Sequence, residues 1–149
     1  MNDGASLEAA RIARALHEGA SLADAIGIPL DSLEAARSLA RWAEAIDEPS
    51  LAIAIWEGCA ALDETSASWL GLAHTALRAG DAVRAFGAAG HVMARAHEPR
   101  ERAEATLLSA RACFLAGRTD DARAWLATLR ELPDAGPPGP LERALRAHH

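Results

Sequence analysis

A chain of 149 residues, half of them hydrophobic, is long enough to bury a core of its own, which excludes disorder over most of its length. A formal charge of −6 with no basic cluster argues against direct binding to nucleic acid. An aromatic content of 4%, with no tyrosine and no long β-branched run, leaves a sheet little to build on and points to an all-α fold.

The N-terminal residues are acidic early and lack an apolar stretch of the secretory kind, and no apolar run approaches the ~20 residues of a membrane span. The expectation is a cytoplasmic protein with no membrane contact. Ser6 is placed to cap a first helix that runs to about His17, carries Leu7, Ile12 and Leu16, and is ended or interrupted by Gly19. Ser21 and Asp24 stand at capping-box spacing before a short helical turn, and Gly27 and Pro29 then break it.

Asp31 or Ser32 caps the next helix, whose face shows Leu33, Ala36, Leu39, Ala40, Ala43 and Ile46. After the turn at Asp47 and Glu48, Pro49 opens a second helix with Leu51, Ala52, Ile55, Trp56 and Cys59. A second pair follows, with Trp69, Leu72, Ala73 and Ala76, a stop at Gly80, a cap at Asp81, then Ala85, Phe86, Ala89 and Val92. Gly87 and Gly90 fall inside that last helix, where each costs up to ~1 kcal/mol against alanine, so close packing on a neighbour is expected there. Pro99 opens the third pair, with Leu107, Ala110, Cys113 and Phe114, a stop at Gly117, a cap at Thr119 or Asp120, then Ala122, Trp125, Leu126 and Leu129.

These pairs repeat. The step is 33 residues from Ala40 to Ala73 and 37 from Ala73 to Ala110, and Ala52, Ala85 and Ala122 follow at the same intervals. A period near 34, with small residues where two helices cross, resembles the tetratricopeptide (TPR) repeat. The expected architecture is therefore all-α, with three TPR-like helical hairpins stacked as a short right-handed solenoid, an N-terminal helix and a C-terminal capping helix. In these terms the TPR-like domain spans residues 1–132, with an N-terminal helical region at 6–30 and repeats at about 31–63, 66–96 and 99–132. Residues 133–140 hold four of the seven prolines and form a linker, and 141–149 are a short helix or tail.

In such an array the first helix of each pair lines the inner face. Counting from the matched alanines, a partner-binding groove would include Arg37 and Arg41, then Leu70, His74 and Leu77, then Leu107, Arg111 and Phe114. Apolar anchors of an extended peptide would meet the leucines and Phe114, while Arg41, His74 and Arg111 would bond its carbonyls. The opposite reading makes the same leucines and Phe114 ordinary core. Trp56, Trp69 and Trp125 stand at core-type positions. Leu7, Ile12, Leu16 and Trp42 would cap the array or contact a second subunit.

The chemistry of enzymes is hard to find. His91 and His97 do not share a helix face, no HExxH is present, and there is no nucleophile elbow, phosphate loop or dinucleotide fingerprint. No enzyme activity, metal or cofactor is expected. Cys59 and Cys113 form no C-x-x-C pair and read as buried, reduced thiols.

Several stretches resemble one group of TPR proteins. Gly19 to Asp24 (GASLAD) and Ile28 to Glu34 (IPLDSLE) are similar to the entry segment of the class II chaperones of type III secretion, the SycD/LcrH-like family. Trp69 to Ala73 (WLGLA) resembles that family's opening of repeat two. His97, Glu98 and Pro99 before repeat three, and the ARACFLAG of residues 110–117, are similar as well. The resemblance covers roughly residues 16–132. It implies a bacterial, cytoplasmic protein with a concave groove that holds a hydrophobic translocator-type protein soluble before secretion. It also implies homodimerisation through the region before the first repeat and, in some members, help to a transcriptional regulator. Arg37 and Arg41 stand where the family carries groove tyrosines, and arginines favour an acidic or carbonyl-rich guest. The alternative is a TPR scaffold or regulatory adaptor that joins protein partners or co-activates a transcription factor.

Overall fold

A computed structural model describes residues 7, 9–12, 14, 33–62 and 65–147. All regular structure among them is helical. The chain divides into two compact units, Met1–Glu64 and Thr65–His149.

In the first unit, residues 7, 9–12 and 14 are helical, with Ala9 and Ile12 buried and Leu7 open to solvent. Leu16 lies outside the described residues, as do the capping residues Ser6, Asp31 and Ser32. Helix α1, Leu33–Ala45, buries only alanines, at positions 36, 40 and 43. Helix α2, Pro49–Leu62, starts at the proline whose missing N–H suits a first helical position, and it buries Leu51, Ala52, Ile53, Ile55, Trp56, Cys59 and Ala60. The thin alanine face of α1 lets the bulkier α2 pack close against it.

The second unit holds α3 (Ala67–Arg78), α4 (Ala82–Arg95), α5 (Pro99–Leu115), α6 (Thr119–Arg130) and α7 (Pro140–Ala147). Helices α3 and α4 form one hairpin and α5 and α6 another, and α5 also packs on both α3 and α4. The repeat seen in the sequence has a physical basis. All six matched alanines, Ala40, Ala52, Ala73, Ala85, Ala110 and Ala122, are fully buried. A larger side chain at any of them would push two helices apart.

The turns repeat too. Asp47, Gly80 and Gly117 have φ of 59°, 80° and 78° and are separated by the same 33 and 37 residues as the alanines. At each turn two amides reach back to orphan carbonyls of the helix end. Asp47 N–H bonds Glu44 C=O and Glu48 N–H bonds Ala43 C=O, both at 3.0 Å. Gly80 and Asp81 do the same to Leu77 (3.1 Å) and Ala76 (2.8 Å), and Gly117 and Arg118 to Phe114 (3.0 Å) and Cys113 (2.8 Å). These are Schellman caps, which require a left-handed residue that glycine adopts freely and aspartate tolerates.

Local starts differ in one place from expectation. Asp81 caps α4 as its sequence suggests, accepting from Arg84 N–H at 3.1 Å. The last hairpin helix, however, is entered from Arg118, not from Thr119 or Asp120, which are already helical. The Schellman turn fixes Arg118 as the residue after Gly117, and Asp121 contributes instead by pairing with Arg118 at 2.6 Å. Gly87 and Gly90 also depart from expectation. Both are exposed, and a Cβ at either would meet nothing within 4 Å, so no neighbour packs against them in this unit.

Helix α7 docks. Leu145 is buried in a cluster with Ala110, Cys113, Ala122, Leu126 and Leu129, and Leu141 packs against its edge. Glu142 is 4% exposed, and Arg130 reaches its Oε1 at 2.8 Å while donating to the Gly136 and Ala135 carbonyls at 2.7 and 3.3 Å. The Glu142 contact is a close ion pair without hydrogen-bond alignment, because the guanidinium is oriented by those two carbonyls. Arg143 holds the Pro138 carbonyl at 2.7 Å. No helix among the described residues is long and apolar enough to cross a membrane.

Candidate functional site: a recess between α3, α5 and α7

Helices α3 and α5 each present a basic residue, an apolar residue one turn on, and the residue after it. On α3 these are His74, Leu77 and Arg78; on α5 they are Arg111, Phe114 and Leu115, 37 positions later in every case. Spacings of i, i+3 and i+4 put each trio on one helix face. The two faces, with Leu141 from α7, line one open recess of about 510 Å³.

The recess has an apolar floor and a basic rim. Leu77 is half-buried against Ala76, Ala85 and Ala112. Phe114 and Leu115 remain 48% and 47% exposed, although both are large and apolar. They place two exposed large apolar side chains side by side on one wall of the recess. His74 Nε2 meets Glu104 Oε1 at 2.8 Å and so links α3 to α5.

Four of the groove residues expected from the sequence, His74, Leu77, Arg111 and Phe114, meet in this recess. Leu70 is half-buried on α3 and is not among its lining. Leu107 is partly buried against the core of the last hairpin. Arg37 and Arg41 belong to the first unit, where both approach Glu34, at 3.5 and 3.1 Å, and Arg41 stands 6.0 Å over the Trp56 ring. The Arg41 hydrogen bond holds the Glu34 carboxyl below its ordinary range; desolvation opposes it, and the charge of Arg41 and the contact with Arg37 add to the lowering. Trp42 is half-buried and Ile12 fully so, while Leu7 is exposed.

Arg78, Leu115, Leu141 and Glu104 belong to the site without having been marked in the sequence. Arg78 and Leu115 were legible as the residues beside the marked ones in the same repeat register. Leu141 comes from beyond a proline-rich linker, where periodicity carries no information about docking.

Aromatic residues elsewhere are engaged internally. The Trp69 ring stacks on His91 at 3.9 Å with Arg95 5.3 Å from it, and Trp125 meets Phe86 edge-on at 5.9 Å. Phe86 is 40% exposed despite that edge contact. Among the described residues no three His, Cys, Asp or Glu side chains converge as metal ligands would. Comparison with known proteins finds no matching family model, no similar curated protein and no similar solved structure.

Proposed function

We propose that this chain is a TPR-like holding protein that lays an extended segment of another polypeptide into the recess, with the role of a type III secretion class II chaperone. The observation that carries this reading is the exposure of Phe114 and Leu115 beside Leu77 in a recess of about 510 Å³ with a polar rim. An apolar floor takes alternate side chains of an extended guest, and rim donors take its carbonyls. In the proposed role the guest is an aggregation-prone segment of a secreted translocator-type protein, kept soluble in the bacterial cytoplasm until export removes it. The motif resemblance supports the secretion context, and the recess supports the holding.

The test is co-expression with the secreted proteins encoded beside it. The expected result is co-purification with one of them and a roughly tenfold weaker complex for Phe114→Ala, the size of a modest anchor loss. A well-folded chain that retains none of them would overturn the chaperone role.

A scaffold or adaptor that joins two partners is the second reading, and it needs a second surface. Val83, 85% exposed, and Phe86 on α4 favour it. In that case Val83→Asp with Phe86→Ala would release one partner and leave the Phe114-dependent one bound.

A further inference from the structure

The three hairpins place a basic residue at one register: Arg41, His74 and Arg111, 33 and 37 positions apart. Two of these already hold a carboxylate. Arg41 has Glu34 at 3.1 Å, and His74 has Glu104 at 2.8 Å. Glu34 and Glu104 both stand seven residues before a basic position of this register, but Glu104 reaches across to α3 rather than along α5. Arg111 is thereby left with no hydrogen-bond or ion-pair partner among the described residues. It is exposed, and it borders the same recess as Phe114 and Leu77.

We infer that Arg111 is the carboxylate-binding position of the recess. Its guest is an extended segment that sets an aspartate or glutamate on Arg111 and a neighbouring aliphatic side chain on Leu77 and Phe114. This deepens, and rests on, the proposed holding of an extended polypeptide. The chemistry follows from charge and shape together. A guanidinium offers a planar pair of donors that a carboxylate fills, and the neighbouring apolar floor lowers the water content around that contact. Arg78 adds a second guanidinium to the lining on the facing helix, so a basic guest is disfavoured at this end although the whole chain carries −6.

The experiment is selection of a random-peptide phage library on the full chain, followed by synthesis of an enriched peptide and of its Glu→Gln or Asp→Asn counterpart. Enriched sequences are expected to place an acidic residue within two positions of a leucine, isoleucine or valine. By fluorescence anisotropy the acidic peptide should bind about fivefold tighter than its amide counterpart. That gap should vanish in Arg111→Gln and at high salt, persist largely in Arg111→Lys, and persist fully in the exposed control Arg100→Gln. Phe114→Ala should weaken both peptides equally. Enrichment of apolar peptides without acidic residues, or a gap unchanged by Arg111→Gln, overturns the role of Arg111 and leaves the holding role standing. Enrichment of no peptide at all overturns both.

Discussion

Two glycines separated by 30 positions do opposite work, and the same substitution separates them. Gly117 has φ of 78° and closes a Schellman cap, so Gly117→Ala should lower stability by about 1–2 kcal/mol through left-handed strain. Gly87 lies within α4 with open space around its Cβ position, so Gly87→Ala should raise stability by about 0.5–1 kcal/mol. Urea denaturation of the two variants checks both signs. Titration gives a second pair of residue-level outcomes. Burial, with the Asp121 carboxylate adding to it, pushes the Cys113 thiol above its ordinary range. Cys113 therefore stays protonated at neutral pH, and a disulfide reagent should modify it no faster than the last hairpin opens. Because its folded value is raised, the stability tied to the neutral thiol is complete below the unfolded value and is lost as pH rises through the folded one. Glu34 runs the other way. Its folded value is depressed, so its contribution is present above the unfolded value and is lost as pH falls through the folded one. Side-chain carboxyl shifts in NMR should show Glu34 returning toward the ordinary carboxylate range in Arg41→Ala.

At the scale of elements, α7 is the least self-sufficient helix and depends most on its contacts. Eight residues do not hold a helix alone in water. Leu145 supplies the burial, and Leu145→Ala should cost about 2 kcal/mol, toward the lower end for a buried leucine because a terminal helix can detach locally. Hydrogen exchange along α6 should rise in that variant, since α7 covers Leu126 and Leu129. The hairpin helices were legible before any coordinates because their signals are local. Alanine at a crossing, proline at a first position, and glycine or aspartate at a left-handed turn are each demanded by sterics at that one residue. A C-terminal capping helix was expected, but the contacts that dock α7 were not legible, because they are Arg130 bonding two carbonyls of an irregular strap and Glu142 buried beside it. The recess was legible by half. Repeat counting places His74, Leu77, Arg111 and Phe114 on one face, but rotation of α5 turns Leu107 toward the core, and no periodic signal reports the side chain that α7 contributes.

For the whole molecule, the division into two compact units sets an expectation about how damage spreads. Leu108 is 1% exposed and lies in the second unit, so Leu108→Ala should cost about 2–5 kcal/mol. Its effect on hydrogen exchange should concentrate in residues 65–147 and fall off in residues 33–62, as in arrays whose units each carry their own stability. Uniform loss of protection across both units would instead mean a single cooperative structure. The matched strides of turn, crossing and basic position carry one more consequence. Residues 81–117 run from one left-handed turn to the next and contain a full helix of each kind. Tandem duplication of that stretch would insert a whole new hairpin without disturbing either junction, and would bring with it another arginine and another phenylalanine in register. Growth of the gene by such copying would lengthen the second unit by one fixed increment, as a ruler gains a division.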